Sequence, residues 1–344
     1  MEKLPIQIHL DDSFFLEEEK CGYKITAQSK KLWAVLLDLM VQFDAVCREH
    51  NIRYTIDSGT LLGAVRHGGF IPWDNDIDVA MLRSEYEKLC EIAPKTFKEP
   101  YFWQTNQTDS GSMRRHAQLR NSLTTDILRS EMEHDNPLYV FNQGVFLDVF
   151  VLDEVPDNPD ELQWFRDELQ QYVDVLWEFK DSYRLGNKIP FWLEFAQKQA
   201  YDEFERTVAR YNGSGMKRVG HISLMPYRKE SALIPKETYE DFVNYNFEGY
   251  TFLGVKDYDT ILAGFYGNWH EMVIGGDAHG EVFLDLYHPY TYYLRNAKAP
   301  HVQKKHPLLI LLKFKKLLLK HSLLAIKNLL YTINVFANKR FRIC

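Results

Sequence analysis

The feature that most constrains the fold is a run of apolar residues, GVFLDVFVL, at residues 144–152. A strand with one face in water alternates polar and apolar residues, whereas a continuous apolar run is typical of a central strand buried on both faces. Asp148 interrupts the run at its centre, where burial is costly unless the carboxylate is paired or binds a metal. The run therefore predicts the middle of a sheet and marks one acidic residue within it.

Periodicity along the rest of the chain predicts helices that can flank such a sheet. Apolar residues recur at spacings of three and four over residues 26–50, which indicates a helix. Further helices are predicted at 61–66, 83–92, 159–181, 190–211, 236–247 and 257–266. Strands are predicted at 52–58, 77–81, 101–105, 114–120 and 124–129. The fold class is therefore α/β (α+β).

Composition narrows the class of protein without identifying it. Of 344 residues, 45% are hydrophobic and 26% are charged, which excludes a disordered, collagen-like or disulfide-framework protein. A mean hydropathy of −0.36 excludes a multi-span membrane protein. The four cysteines are isolated and the first twenty residues lack the pattern of a secretory signal, so we expect a reducing, cytoplasmic setting.

Aspartates cluster before a predicted strand in the segment IPWDNDIDVAM, residues 71–81. Alternate residues of an extended chain face the same side, so Asp76 and Asp78 should project together, with Asp74 orienting them. Neighbouring carboxylates repel unless a cation lies between them, and a hard dication such as Mg²⁺ (or Mn²⁺) takes oxygen ligands. Asp76 and Asp78, together with Asp148, therefore predict a metal site on two adjacent strands. The alternatives are a solvated acidic turn and an Asp148 that caps a neighbouring strand.

A glycine and a hydroxyl residue, Gly59 and Thr60, lie where a predicted strand passes into a short helix. The free N–H groups at the start of a helix attract anions, so this turn is suited to hold a phosphate. A small-residue turn followed by an acidic pair on the next strand resembles the arrangement of the nucleotidyltransferase fold.

The segment DSGTLLGAVRHGGFIPWDNDIDVAM, residues 57–81, closely resembles the signature of the LicD family of phosphotransferases, which includes the eukaryotic fukutin-type proteins. Weaker similarities lie at RSEYEKL (83–89), Arg120 to Thr124, GVFLDVFVLDEVP (144–156) and KDYDTILAGFYGNW (256–269). In the last of these, Asn268 stands where the family usually has Asp. The resemblance extends over roughly residues 30–275.

The resemblance implies a nucleotidyltransferase-like mixed sheet flanked by helices. It also implies transfer of a phospho-alcohol, phosphocholine first among the candidates, from a CDP-linked donor to a cell-surface glycan or lipid-linked glycan precursor, with release of CMP. Asp76, Asp78 and Asp148 would then be the metal-binding and catalytic carboxylates, and Gly59 and Thr60 the phosphate turn. The general base is open between Asp76 and Asp148. Two alternatives remain: a nucleotidyltransferase that uses an NTP, and a catalytically silent membrane-associated scaffold.

Other side chains near the signature are candidate substrate ligands. The planar guanidinium of Arg66 suits phosphate oxygens, although a surface position on the helix is the alternative. Trp73 would stack on the nucleotide base or pack beneath its loop. His67 would be a base or, with preference, a structural hydrogen-bond donor. Arg120 follows the family pattern of a basic residue before Thr124 and completes the substrate-binding candidates.

Charge is divided unevenly along the chain. No Asp or Glu follows Asp285, residues 286–344 carry twelve Lys and Arg, and residues 1–285 carry a net charge of −19. On a Leu-rich helix over 306–332, one stripe would hold Lys313, Lys316, Lys320 and Lys327. The apolar stretches are too short to cross a bilayer, so we expect a helix lying on an anionic membrane surface. The alternative is a helix docked on the acidic body by charge.

These boundaries divide the chain into an N-terminal extension (1–25), a catalytic domain (26–285) and a basic amphipathic tail (286–344). The expected partners are a CDP-linked alcohol donor, a glycan or lipid-linked acceptor and the membrane, which places the protein peripherally on the inner, cytoplasmic face. Nucleic acid is not expected, because aromatic residues are not interleaved with the basic residues of the tail.

Overall fold

The computed structural model describes residues 3–133, 136–275, 281–297, 309–317 and 319. The helices are α1 Ala27–Glu49, α2 Ser58–His67, α3 Arg83–Thr96, α4 Pro159–Ser182, α5 Phe191–Val208, α6 Tyr258–Tyr266 and α7 Tyr290–Asn296. Residues 309–317 are also helical. The strands are β1 Glu18–Lys20, β2 Tyr23–Ile25, β3 Thr55–Ile56, β4 Asp78–Leu82, β5 Tyr101–Gln104, β6 Ala117–Asn121, β7 Thr125–Leu128, β8 Met132–Glu133, β9 Asn136–Pro137, β10 Val145–Val155, β11 Arg218–Gly220, β12 Ile234–Pro235, β13 Phe242–Phe247, β14 Tyr250–Val255 and β15 Val282–Asp285.

A mixed sheet of seven strands forms the centre of the fold, and β10 runs through its middle. The strand order is β12-β11-β10-β4-β3, with β6 also paired to β10 and β5 paired to β6. β10 is parallel to β4 and antiparallel to β6 and β11. The apolar run at 144–152 is therefore the central strand, and helices flanking a mixed sheet confirm the predicted fold class.

Two hydrophobic clusters hold the helices in place. The larger one buries α1 against the sheet, and α1 is capped by Thr26, whose side chain accepts the backbone N–H of Ser29. The smaller one lies between α4, α5 and residues 309–317. The side chain of Asn158 caps the start of α4, and Pro159 occupies the first turn of the helix. The cleft described below opens between these two packed regions, since its lining includes residues of both the sheet and α4.

The predicted helix at 236–247 is wrong, because the second half of that segment is the first strand of a β-hairpin. Residues 236–239 form a 3₁₀ turn, after which β13 pairs antiparallel with β14. Glu248 and Gly249 join the strands at positive φ angles of 49° and 81°, as a two-residue hairpin turn requires. The Glu248 side chain accepts the backbone N–H of Phe70 at 3.0 Å. The aromatic and β-branched residues of FVNYNF and this turn chemistry outweighed the helical spacing.

The described part of the helix predicted at 306–332 is helical and lies against the body of the protein. Residues 309–317 pack beside α4, where Lys313 forms an ion pair with Glu178. This segment therefore follows the docked alternative, at least over its first turns. Lys320 and Lys327 lie outside the described residues. Within the described ranges, no helix combines the length and the apolarity needed to cross a membrane.

Candidate active site

A cleft of about 860 Å³ lies beside β4, β6 and β10. Its acidic lining residues are Asp74, Asp76, Asp78, Asp126, Glu131, Asp148 and Glu271. Its basic lining residues are Arg66, Arg114, Arg115, Arg120, Lys180 and Arg228. Acidic and basic side chains thus share one cavity, which suits a ligand that carries phosphates together with a cation.

Asp78 and Asp148 lie side by side because the parallel pairing of β4 with β10 makes them register partners. Both are buried, at 7% and 4% exposure. Asp76 precedes β4, is half-buried and lies close enough to Asp78 to raise its pKa. The structure thus brings together the three carboxylates predicted from the sequence.

The pKa values of Asp78 and Asp148 are shifted in opposite directions. Burial, with the charges of Asp76 and Asp148, holds the pKa of Asp78 well above its usual value. Burial also opposes ionisation of Asp148, but His116 and the hydrogen bond from Gln118 bring its pKa down to about 2. An ionised carboxylate beside one that resists ionisation is a place where an added cation is stabilised.

The side chains that bond to Asp148 come from β6 and the residues just before it. Nε2 of Gln118 donates to Oδ1 of Asp148 at 2.6 Å, and Nε2 of His116 lies 2.9 Å from the same oxygen. Burial lowers the pKa of His116, so its ring is neutral near pH 7 and Nε2–H donates. Nδ1 of His116 is buried and has no hydrogen-bond partner within the described ranges. That nitrogen is an open proton acceptor on a residue that lines the cleft.

Arg120, predicted as a substrate ligand, is instead occupied by protein acceptors. Its side chain is fully buried and donates to Oε1 of Gln104, the carbonyl oxygen of Gly144 and Oε1 of Gln118. Because Arg120 holds the amide oxygen of Gln118, the amide nitrogen turns toward Asp148. Arg120 therefore positions a carboxylate through Gln118, since burial and these three bonds leave its guanidinium committed to the fold.

The turn at the start of α2 divides its roles between two residues. A Cβ built on Gly59 would lie 2.5 Å from Oδ2 of Asp74, so glycine leaves room for that carboxylate near the first turn of α2. Gly59 lines the cleft. The hydroxyl of Thr60 accepts the backbone N–H of Asp78 at 2.8 Å, and its side chain is buried. Thr60 therefore ties α2 to β4 rather than lining the predicted phosphate site.

Of the remaining predicted ligands, two line the cleft and one does not. Arg66 lines the cleft and also donates to the carbonyl oxygen of Glu271 at 2.9 Å. Trp73 lines the cleft and packs edge-on against Tyr23, with ring centroids 5.9 Å apart. His67 ends α2 and lies outside the cleft lining, with a partly buried ring whose pKa is lowered by burial. Nε2 of His67 is buried and has no hydrogen-bond partner among the described residues, so the preferred role as a structural hydrogen-bond donor stays a prediction.

Two arginines that line the cleft were not predicted from the sequence. Arg114 and Arg115 precede β6, and in the part of the chain that the structure describes neither forms an ion pair. Nε of Arg114 is buried without a partner among those residues, and burial lowers the pKa of Arg115 to about 10. Two guanidinium groups that line one cleft suit phosphate oxygens, and the charge of Arg114 also lowers the pKa of Glu131 and Asp148. The sequence signal was the run RRH at 114–116, at the start of the strand predicted at 114–120.

A second group that sequence reasoning did not assemble is a chain of three side chains, of which Asp57 and His221 are buried and Arg228 is partly exposed. Oδ2 of Asp57 lies 3.3 Å from Nε2 of His221, whose Nδ1 lies 2.7 Å from the guanidinium of Arg228. Burial raises the pKa of Asp57 to about 6, although the charge of Arg228 opposes the shift. Burial also holds the pKa of His221 well below its usual value. These residues are distant in sequence, so no local pattern connects them.

The donor chemistry of Asp76, Asp78 and Asp148 fits a hard dication, because all three supply carboxylate oxygens and Asp78 carries unrelieved repulsion. As they stand, no three His, Cys, Asp or Glu side chains among the described residues form the geometry of a metal centre. The residue types therefore agree with the metal expected from the sequence, and the ion itself remains a prediction.

Comparison with known proteins finds a family model that matches the part of the chain holding most of the acidic residues of the cleft. Residues 51–149, which include Asp76, Asp78 and Asp148, match the family model described as "LicD/FKTN/FKRP, nucleotidyltransferase domain". The chain is 26% identical over 276 residues to the lipopolysaccharide cholinephosphotransferase LicD of Haemophilus influenzae, which covers 72% of this chain and 93% of that protein. An uncharacterised protein of Rickettsia prowazekii is 43% identical over 79 residues, 23% of this chain and 29% of its own length.

Proposed function

This chain belongs to the LicD family, and from that premise we propose that it transfers phosphocholine from a CDP-linked donor to a glycan or lipid-linked glycan precursor, releasing CMP. The comparisons support a transferase. The relative in H. influenzae is named for cholinephosphate transfer to lipopolysaccharide, which makes phosphocholine the first group to test. The observation that carries the proposal is the register pairing of Asp78 with Asp148 in a cleft that several arginines also line.

The carboxylates have the properties that a dication site needs. Asp76, Asp78 and Asp148 would hold Mg²⁺ or Mn²⁺, and the chemistry that such an ion supplies is neutralisation of charge on phosphate oxygens. Asp148 is the anchor of this set, because Gln118 and His116 fix its carboxylate in one orientation. Asp78 resists ionisation while its neighbours are charged, so it responds most strongly to an added positive charge.

The diphosphate of the donor would contact the arginines. Arg114 and Arg115 form no ion pair within the described ranges, so both guanidinium groups can bond to phosphate oxygens, although the charge of Arg114 also acts on Glu131 and Asp148 and lowers their pKa. Arg66 also lines the cleft, but it holds the carbonyl oxygen of Glu271 as well. Substrate binding at Arg66 would therefore compete with its hydrogen bond to Glu271, in a segment that lines the same cleft.

The transfer exchanges one phosphorus–oxygen bond for another. The acceptor hydroxyl oxygen bonds to the phosphorus that carries choline, and the bond from that phosphorus to the oxygen bridging to CMP breaks. CMP leaves with the bridging oxygen and its electron pair, and the hydroxyl proton passes to a base. Asp76 and Asp148 are the candidates named from the sequence, and Nδ1 of His116 adds an acceptor nitrogen with a free lone pair.

We place the acceptor at the cytoplasmic face of a membrane, with the protein bound peripherally. The support is the tail, because residues 286–344 contain twelve basic and no acidic residues. Lys315 and Lys316 are exposed at its start. Basic residues beside apolar ones are attracted to anionic lipid surfaces.

The test is release of CMP from CDP-choline with Mg²⁺ and an acceptor glycan, with CDP-ribitol and CDP-glycerol as competing donors. We expect CMP release with CDP-choline and background release from Asp78→Asn. The control Asp241→Asn changes an exposed aspartate and should retain wild-type activity. Pyrophosphate release from CTP without CMP would favour the nucleotidyltransferase alternative. Failure of every CDP-alcohol to bind in calorimetry would contradict the proposal and favour a silent scaffold.

A further inference from the structure

Large aromatic side chains are exposed together where α4 and α5 are joined. Phe191, Trp192 and Phe195 in the first turns of α5 are 82%, 39% and 57% exposed, and Trp177 near the end of α4 is 54% exposed. Phe191 and Phe195 share one face because they are four residues apart on a helix. We call these four residues the hairpin tip. Apolar side chains grouped on a surface mark a site of interaction.

The two helices run antiparallel, which puts these residues at one end of the hairpin. α4 ends at Ser182 and α5 begins at Phe191. At the opposite end, the guanidinium of Arg210 donates to both carboxylate oxygens of Glu168, at 2.7 and 2.8 Å. The aromatic side chains of the hairpin tip are not needed to hold the helices together, since α5 packs through its other face. The buried residues of that face are Leu193, Ala196, Gln197, Ala200, Tyr201 and Phe204.

The start of the tail lies at the same end of the hairpin. Phe314 packs against Phe179 near the end of α4, with ring centroids 6.3 Å apart. Ile310 and Leu317 are buried in the same cluster, so the inner face of this helix is satisfied. On its outer face, Leu309, Leu312 and Leu319 are exposed. A second apolar face thus lies on the same side of the molecule as the C-terminal turns of α4.

We infer that the hairpin tip and the exposed side chains of Leu309, Leu312 and Leu319 together form a membrane-binding surface. Tryptophan and phenylalanine are suited to the boundary between headgroups and acyl chains. Lys315 and Lys316 are exposed on the tail helix, where anionic headgroups would meet them.

Charge at this surface agrees with an anionic lipid partner. Three acids at this end of α4 and in the neighbouring loop are neutralised, because Glu178 pairs with Lys313, Asp181 with Arg184 and Glu131 with Lys180. Asp174, about one turn before Trp177, is exposed and accepts a hydrogen bond from Gln170. Glu194 is the exposed acid within the first turns of α5. The chain continues past residue 319 for 25 residues with Lys320, Lys327, Lys339, Arg340 and Arg342 and without an acidic residue. This excess of positive charge beside exposed aromatic side chains favours an anionic lipid surface.

The position of the surface matters for the cleft. Trp177 belongs to the hairpin tip and also lines the cleft. Lys180, about one turn later on α4, lines the cleft as well. A bilayer in contact with the hairpin tip would therefore lie beside the cleft, where a lipid-linked acceptor enters. This last step rests on the proposed function, whereas binding to lipid does not.

The experiment is flotation of the full chain with vesicles of phosphatidylcholine alone and of phosphatidylcholine with phosphatidylglycerol. We expect binding to the anionic vesicles and an about tenfold lower partition coefficient for Phe191→Ser/Phe195→Ser. Lys315→Glu/Lys316→Glu should weaken binding only when the vesicles are anionic. The control Leu16→Ser/Val243→Ser removes exposed apolar side chains elsewhere and should bind as wild type. Thermal unfolding of each variant checks that it is folded.

Wild-type partitioning of the folded Phe191→Ser/Phe195→Ser variant would overturn the inference. It would also be overturned if that variant abolished self-association in analytical ultracentrifugation, because the surface would then bind a second copy. A third outcome concerns quenching of tryptophan fluorescence by acrylamide without vesicles. If a protected fraction is present in the wild type and lost in Trp177→Phe/Trp192→Phe, the chain's own residues cover the hairpin tip. That result would also overturn the inference. CMP release is measured in parallel without vesicles. If neither the wild type nor any variant releases CMP, but the partition coefficients of the variants differ as expected, the proposed function fails and this inference stands.

Discussion

Strand β10 carries two buried aspartates, five residues apart, with different surroundings. Asp153 accepts hydrogen bonds from Nε and Nη2 of Arg83 at 2.7 and 2.8 Å, so a buried cation of the same fold neutralises it. Arg83 in turn contacts Glu205 at 2.7 Å, which joins α3, β10 and α5. This network holds helices on the sheet and lies outside the cleft lining.

Asp148 shows the contrasting arrangement. Its hydrogen-bond partners Gln118 and His116 are neutral near pH 7, and its register partner is another acid, Asp78. A buried acid that the fold pairs with its own arginine contributes to stability, while one surrounded by neutral donors and a second acid is suited to a ligand. The comparison teaches that burial alone does not distinguish Asp148, the aspartate proposed to bind a metal, from Asp153; the identity of their partners does.

The largest expected effect comes from Asp148→Asn, which removes the charge but keeps the shape of the side chain. CMP release should fall about 10³-fold, equivalent to about 4 kcal/mol, as for loss of a group that stabilises charge in the transition state. Thermal unfolding should stay close to wild type, because Gln118 can still donate to the amide oxygen. Activity within a few-fold of wild type would remove Asp148 from the site.

The matching change on the same strand is Asp153→Asn, and its effect should fall on stability. Arg83 would lose its buried bidentate counter-charge, so the free energy of unfolding should fall by about 3 kcal/mol, measured by urea denaturation. CMP release per folded molecule should change little. Asp241→Asn serves as the exposed control for both aspartates. A stable but inactive Asp153→Asn variant would contradict the distinction between the two aspartates.

Asp57 is a third buried acid, and it predicts a pH dependence of stability. Burial raises its pKa to about 6 in the folded protein, against about 3.9 for an unfolded chain, so the folded state binds the proton more tightly. Its contribution is most favourable below pH 4 and falls as pH rises to 6, by about 2–3 kcal/mol. Asp57→Asn should therefore gain stability relative to wild type over that interval. Urea denaturation in EDTA at pH 4 to 7 measures the difference, and a constant difference would contradict the assignment.

The smallest effect is expected at a neutral partner of Asp148. Gln118→Leu removes the 2.6 Å hydrogen bond, and the Mg²⁺ concentration for half-maximal activity should rise about tenfold, as for partners that orient metal ligands. Mn²⁺ binding followed by electron paramagnetic resonance gives a second readout. Gln170→Leu on α4 removes an exposed glutamine–aspartate bond and should leave both unchanged. Equal Mn²⁺ affinity in both variants would show that Gln118 has only a structural role.

Much of the fold was predictable because the relevant signals are local. The apolar run at 144–152 identified the central strand, and the spacing of apolar residues identified α1 within a residue at each end. The hairpin β13–β14 was not predicted, since its residues also fit a helical spacing and the turn at Glu248 and Gly249 decided between them. Alternation along an extended segment likewise predicted that Asp76 and Asp78 project to the same side.

What the sequence determined by itself was therefore the set of elements and the acidic residues at their ends, because backbone preference and side-chain alternation depend on near neighbours in the chain. Only the tertiary structure decided which partner each polar side chain meets. Arg120 turned from a predicted ligand into a support for Gln118, Thr60 became a tether to β4, and Asp57 met His221 from a distant part of the chain. The physical reason is that the energy of a buried charge depends on what surrounds it in space, and those surroundings are assembled from residues far apart in sequence.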